Sequence, residues 1–371
     1  MQQKGYLTEF ATPNHPVWDW SLLKELIPAL PQLDLSHIQR LTNQVGIIQH
    51  AKYTIPNYHH GYCLDDNARA LILVTMAYQQ QPTAALRESI NTYLAYMLYM
   101  QLENGQFRNF LSFDNTFLDK VGSEDSYGRT IWALGFFLKI DPHSEFAPLA
   151  QEIFLKALPN CLQLRSNRAV AYCLLGLLHY YEKHSAIDPG VLNHIAVLSA
   201  FLQEEFNEAS TADWQWFEKI IAYDNAVMPL SLLRAATVLR NETANKIGMA
   251  SALFLDSLLF SSGHLSTVGN SNWYPYREGK SKFGQQPIEI PSMLLLYKQI
   301  YLLTDDEHYK NRMIQTFQWF FGGNDLGLHL YDPVSKGCSD GLERYGINEN
   351  QGAESTISFW KAFLYLCTSF D

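Results

Sequence analysis

Tyr62-Cys63-Leu64-Asp65-Asp66-Asn67-Ala68-Arg69-Ala70 is the stretch from which the architecture can be read outward. Two adjacent acids and an amide stand immediately before an apolar run, 71–78, that reads as a buried helix. Asp and Asn suit a helix N-cap, where a side-chain oxygen accepts an otherwise unsatisfied backbone N–H. One cap needs one such residue, and this stretch supplies three. Comparable clusters precede other apolar runs: Glu124-Asp125-Ser126-Tyr127-Gly128-Arg129, Ser166-Asn167-Arg168, Tyr223-Asp224-Asn225, Gln285-Gln286-Pro287-Ile288-Glu289 and Gln351-Gly352-Ala353-Glu354-Ser355.

Apolar periodicity at steps of three and four predicts helices near 37–48, 66–80, 85–102, 126–139, 146–157, 167–183, 189–206, 224–239, 242–260, 287–302, 306–321 and 353–369. No convincing strand run is present, although short strands fit loops such as 105–113. Helices that are apolar all round, as at Leu71-Ile72-Leu73-Val74 and Met293-Leu294-Leu295-Leu296, alternate with amphipathic ones such as 85–101. An all-round apolar helix is a buried one. The alternation therefore predicts an all-α fold, an (α/α)6 toroid with an inner and an outer ring of helices. Connections from inner to outer helices are tight, whereas most of the returns, 103–125, 207–223, 261–286 and 322–352, are long. Long loops on a rigid scaffold commonly carry function, and all of these emerge on one face. Residues 1–34, rich in Pro and Trp, are expected to form an arm with one short helix (Ser21 to Leu30) packed on a single toroid spanning 35–371.

Composition narrows the function. The chain has 371 residues, 47% hydrophobic and 17% charged, with a formal net charge of −10 and no Lys/Arg-rich run. A nucleic-acid surface needs clustered cations, so nucleic-acid binding is not expected. Five cysteines without a CxxC pair predict neither a zinc site nor a disulfide framework. No apolar stretch reaches the length of a membrane span, and the N-terminus lacks a signal-peptide core, so a cytoplasmic protein without membrane contact is expected. His50, His59 and His60 match no standard ligand spacing and read as hydroxyl-binding or loop-packing residues. No metal or cofactor is expected.

Caps account for Ser166, Asp224 and Pro287. They leave unexplained Glu289 and Glu354, inside the first turn of very apolar helices, and Arg69, Arg129 and Arg168, at positions that should be buried. In a toroid these positions converge on the central funnel, where acids and arginines can pair; structural ion pairing is the plain reading of part of the set. Aromatic loops stand beside them: Trp214-Gln215-Trp216-Phe217-Glu218 and Asn272-Trp273-Tyr274-Pro275-Tyr276. Aromatic platforms next to carboxylates and amides suit a carbohydrate site, in which two carboxyls act as acid and base. The expected catalytic acids are Glu218, Asp125, Asp66 and Asp224. Glu218, among Trp214, Trp216 and Phe217, is the first candidate for a raised pKa, with Asp125 or Asp66 as base. Substrate contacts are expected from Asn67, Arg129, Asn167, Arg168, Trp216, Tyr223, Trp273, Gln286, Glu289, Asp340 and Glu354.

The layout resembles the six-hairpin glycosidase superfamily, with 125–134 (Asp125-Ser126-Tyr127-Gly128-Arg129-Thr130-Ile131-Trp132-Ala133-Leu134) similar to its inner helices. More narrowly, 61–71, 124–135, 216–229, 272–289 and 332–356 resemble an (α/α)6 module found alone or fused to family 4-type glycosyltransferases in bacteria. That resemblance implies the fold, a sugar-related role and a functional association with a glycosyltransferase; it supplies no catalytic assignment. A glycoside hydrolase acting on an oligosaccharide, containing mannose or glucose, is the first expectation. A sugar epimerase of the same fold ranks below it, because the helix starts are acid- and amide-rich and the histidines His50, His59, His60 and His264 lie on loops. A non-catalytic sugar-binding module partnering a glycosyltransferase is the third.

Overall fold

The computed structural model describes residues 23–25, 27–184 and 190–367. The Pro- and Trp-rich part of the expected arm, including the start of its helix at Ser21, lies outside the described residues, as do 185–189 and 368–371. Leu23, Ile27 and Leu30 are buried in the core.

From residue 36 onward the chain is a succession of α-helices: α1 (Ser36–Leu41), α2 (Leu64–Gln80), α3 (Ala84–Met100), α4 (Glu124–Ile140), α5 (Ala147–Ala157), α6 (Asn167–His184), α7 (Gly190–Ala209), α8 (Val227–Leu239), α9 (Glu242–Leu259), α10 (Glu289–Thr304), α11 (Glu307–Gln318) and α12 (Ala353–Cys367). The all-round apolar helices α2, α4, α6, α8, α10 and α12 pack each on the next, and α12 returns to α2, closing an inner ring. Each amphipathic helix packs outside its neighbour, with α1 outside α12. This is an (α/α)6 toroid. Its tightest inner contact joins α4 and α6 and depends on glycines. A Cβ on Gly135 would collide with the carbonyl of Gly176, and one on Gly176 with the carbonyl of Ile131.

Two departures of helix ends from the periodic reading have a local cause. The 37–48 segment is helical only to Leu41, because Asn43 Oδ1 accepts the amides of Val45 (2.9 Å) and Gly46 (3.3 Å) and folds the chain into a turn. Helix α8 starts at Val227 rather than 224. There Asp224 adopts a left-handed φ of 46°, and Asn225 Oδ1 accepts the amide of Ala222 at 3.1 Å.

The long loops are stitched together by antiparallel pairs two or three residues long: β1 (Ala51–Lys52) with β2 (Ile55–Pro56), β3 (Tyr62–Cys63) with β4 (Phe110–Leu111), β5 (Ile220–Ile221) with β6 (Tyr274–Pro275), and β7 (Gly341–Glu343) with β8 (Gly346–Asn348). The β3–β4 and β5–β6 pairs each join successive returns, so the loops form a collar around the mouth of the ring. Among the described residues no helix is long and apolar enough to cross a membrane.

Candidate active site

The acids of the opening stretch are not caps. Cys63 caps α2: its Sγ accepts the amide of Asp66 at 3.4 Å. Burial raises the Cys63 thiol well above its ordinary pKa, with Asp66 and Asp65 adding to the effect, so it stays a thiol and donates to Asp66 Oδ2 at 3.1 Å. Ser123 plays the same part for α4, accepting the amide of Ser126 at 3.1 Å. With the caps supplied by residues ahead of each acidic pair, Asp65, Asp66 and Asp125 are left to face the ring interior.

The collar and the inner-helix starts enclose two connected chambers of about 370 and 360 Å³. Asp65, Arg69, Phe110, Gln286 and Glu354 line both. The first chamber adds Gln49, His50, Cys63, Asp66, Asn270, Asp340, Glu343, Asn348 and Ser355. The second adds Asn109, Ser123, Asp125, Arg129, Tyr223, Trp273 and Ile288. The first is thus rich in acids and amides, whereas the second has an aromatic wall, in which Tyr223 and Trp273 meet at a centroid distance of 5.8 Å.

Two buried arginines organise the carboxylates. Arg69 pairs with Asp66 at 2.7 Å and with Glu354, on α12, at 2.9 Å. Arg129 pairs with Asp65 at 3.3 Å and Asp224 at 3.1 Å, and lies 4.1 Å over the ring of Tyr172. Burial pushes the Asp66 carboxyl up to about 6, against the pull of Arg69 and with the help of Glu354. Asp340 is also raised by burial, although it accepts the Gly352 amide (2.9 Å) and the Ser355 hydroxyl (2.8 Å). Asp125 accepts hydroxyls from Tyr223 at 2.6 Å and Ser166 at 3.0 Å. Asp65 also accepts the Asn109 amide at 3.1 Å.

Of the residues expected from the sequence, Asp66, Asp125, Arg129, Tyr223, Trp273, Gln286, Asp340 and Glu354 line these chambers. The others are in the walls. Glu218 does not sit in an apolar pocket: its carboxylate holds Arg168 at 2.9 Å and Asn167 at 3.3 Å, while Trp216 and Phe217 turn into the core. Trp216 is 0% exposed and offers no platform. Arg168 also donates to the Tyr223 carbonyl at 2.6 Å and to Asn225 at 3.3 Å, so it braces the turn before α8. Asp224 is buried, engaged by Arg129 and the Tyr172 hydroxyl. Glu289 accepts the amides of Asp224 (2.5 Å) and Asn225 (3.3 Å) and so fixes that left-handed turn. Its burial, with Asp224 nearby, pushes its pKa up to about 8, against the N–H donors. Asn67 accepts the Ile47 amide and donates to the Cys63 carbonyl, tying the collar to α2. Contacts absent from the sequence reading are Asp65, Asn109, Phe110, Gln49, Asn270 and Glu343, whereas His50, read as a hydroxyl-binding or loop-packing residue, lines the first chamber. For Asp65 the signal was available in the adjacent acid pair; the others reach the funnel only through the collar's pairing.

No family model and no curated protein matches the sequence. Among solved structures, the chain is similar to a sugar epimerase from a ruminal bacterium (TM-score 0.71, 12% identity, 93% of this chain and 98% of that one). It is similar to the cellobiose 2-epimerase of Bacillus thermoamylovorans (TM-score 0.70, 11% identity, 93% and 99%). It is similar also to an α-1,6-mannanase of glycoside hydrolase family 76 from Salegentibacter, an inactive variant in complex with α-1,6-mannotetrose (TM-score 0.62, 11% identity, 94% and 99%). These likenesses establish the six-hairpin (α/α)6 fold.

Proposed function

We propose that this toroid is a carbohydrate-active enzyme, and specifically a glycoside hydrolase that cleaves an oligosaccharide in its two-chamber funnel. The observation that carries the reading is the pair Asp65-Asp66 at the start of α2, two carboxyls in opposite settings. Asp66 is buried and raised to about 6, which suits a proton donor to the leaving oxygen. Asp65 faces Arg129 and Asn109 at the junction of the chambers, which suits a carboxylate acting on water or on the sugar. Glycoside hydrolysis divides acid and base roles between two such carboxyls. The inactive variant of the Salegentibacter mannanase carries substitutions at two consecutive aspartates, a precedent for adjacent acids on this fold. Trp273 and Tyr223 offer aromatic faces to a sugar ring, and Gln286 and Asn270 can hold its hydroxyls. Neither Glu218 nor Asp224 is assigned a catalytic role, since neither is among the described residues that line the chambers.

Epimerisation is the second reading. His50 lines the first chamber together with Asp340, which places a histidine beside a bound sugar in this reading. One experiment separates the readings: incubation with manno- and gluco-oligosaccharides followed by product chromatography. Free monosaccharide means hydrolysis, an altered sugar at the reducing end means epimerisation, and binding without turnover means a sugar-binding module serving a glycosyltransferase. Wild-type turnover by Asp65→Asn and Asp66→Asn variants would remove the adjacent pair from the mechanism.

A further inference from the structure

The charges around the funnel carry a statement about what it accepts, one that rests on the carbohydrate reading above. Six helix N-termini converge on the ring's open face, and helix N-termini ordinarily attract anions through free amides and the helix dipole. Here the chain's own acids occupy that position. Asp65 and Asp66 stand in the first turn of α2, Glu124 and Asp125 in that of α4, Glu289 in that of α10 and Glu354 in that of α12. The amides before α8 go to Glu289.

The two arginines in the lining are likewise engaged, each between two carboxylates, Arg69 by Asp66 and Glu354 and Arg129 by Asp65 and Asp224. Among the described residues no lysine lines either chamber. A phosphate or carboxylate ligand would need an unpaired guanidinium or ammonium, and neither chamber offers one. The first chamber instead presents Asp65, Asp66, Asp340, Glu343 and Glu354 against Arg69 and His50. Glu343, exposed on β7, takes part in none of the ion pairs among the described residues. Arg344, in the turn that follows β7, is not among the described residues that line either chamber.

We propose that the funnel selects uncharged glycans and turns away sugars bearing phosphate or carboxylate groups, with Glu343 as a specificity-determining residue of the first chamber.

The test is calorimetric titration of the full chain with cellobiose and α-1,6-mannotriose, and with the 6-phosphate of each. At low salt the phosphorylated forms should bind about tenfold more weakly or worse than their neutral parents, and the ratio should shrink at high salt as screening grows. Glu343→Gln should narrow the ratio, about threefold or more, and Glu343→Lys should narrow it further. Phosphorylated sugars binding as tightly as neutral ones, or a ratio indifferent to both Glu343 variants and to salt, would overturn charge selection and leave the carbohydrate reading standing. Failure of every sugar, neutral and phosphorylated, to bind would overturn both.

Discussion

Lys361 is the least economical residue of the ring and gives the sharpest test of its electrostatics. It lies on α12, two turns beyond Glu354 on the same face, 5% exposed, with its ammonium 4.9 Å over the ring of Trp132 and 5.9 Å over that of Tyr365. Burial lowers its pKa from 10.5 to about 7; Arg69 and Arg129 push the same way and Asp224 opposes them. Between those two values the unfolded chain holds a proton that the folded protein has released, so this group makes stability rise with pH from about 7 to 10.5. The full penalty, present at and below neutral pH, has a ceiling on the order of 4–5 kcal/mol at about 1.4 kcal/mol per pH unit. Lys361→Met keeps the aliphatic stem and removes the charge. It should stabilise the protein at pH 7, by about 1–3 kcal/mol once the lost ring contacts are set against the relieved desolvation. The advantage should decline as pH rises, by about 1.4 kcal/mol per pH unit between 8 and 10. Urea unfolding of both proteins across that range measures the difference, and other titrating groups cancel in it. A variant whose advantage is constant with pH, or which is less stable at pH 7, would refute the argument that Lys361 is a strained, readily neutralised amine.

Asp66→Asn should lower turnover by about a hundredfold or more, and wild-type kcat/KM should fall as pH rises through about 6, because the acid form of Asp66 is lost there; a profile flat across pH 5–7 would exclude it as proton donor. Trp273→Ala should weaken sugar binding in titration while the thermal midpoint stays near wild type, whereas Trp216→Ala, emptying a fully buried site, should cost about 3–5 kcal/mol in urea unfolding. Above about pH 8, where Glu289 is a carboxylate, Glu289→Gln replaces one of the two oxygens that accept the Asp224 and Asn225 amides with an N–H donor and should cost about 2–3 kcal/mol, with a smaller cost at lower pH. Gly176→Ala forces α4 and α6 apart at their closest approach and should cost at least about 2 kcal/mol in the same assay.

The ring itself was legible because an inner helix of a toroid must be apolar on every face, which leaves a pattern no amphipathic helix imitates. The polar starts were legible as a set for the same reason: polarity at the head of such a helix has only the funnel to face. Which of them line the chambers was not legible, since that depends on which preceding residue takes the cap. Cys63 and Ser123 take over capping and leave Asp65, Asp66 and Asp125 to the interior. Before α8 no such residue stands, and Asp224 and Glu289 are drawn into holding the turn. Glu218 was misread from its sequence neighbours. Trp216 and Phe217 adjoin it in the chain but turn into the core, and what its carboxylate meets is Arg168, fifty positions away. Phe110 and Glu343 were invisible because their place in the funnel comes from the β3–β4 and β7–β8 pairs, each too short to leave a period-two pattern.

The same contacts that close the ring also fix the geometry of its acids. Arg69 joins α2 to α12 through Glu354, and Arg129 joins α4 to α2 through Asp65 and to the α8 turn through Asp224. Buried ion networks of this kind are seldom more stable than apolar packing of similar volume, so stability alone gives no reason to build one at the centre of a toroid with a large apolar core. What the network supplies is position: Asp65 and Glu354 are each held by a guanidinium from a neighbouring inner helix, and Asp66 by Arg69 of its own helix. Removing either arginine would free its paired acids at once, and the losses in turnover from the arginine and its acid should be far from additive. Catalytic groups that act as a unit behave in that way, whereas wall residues such as Trp216 and Gly176, distant from the network, should add independently.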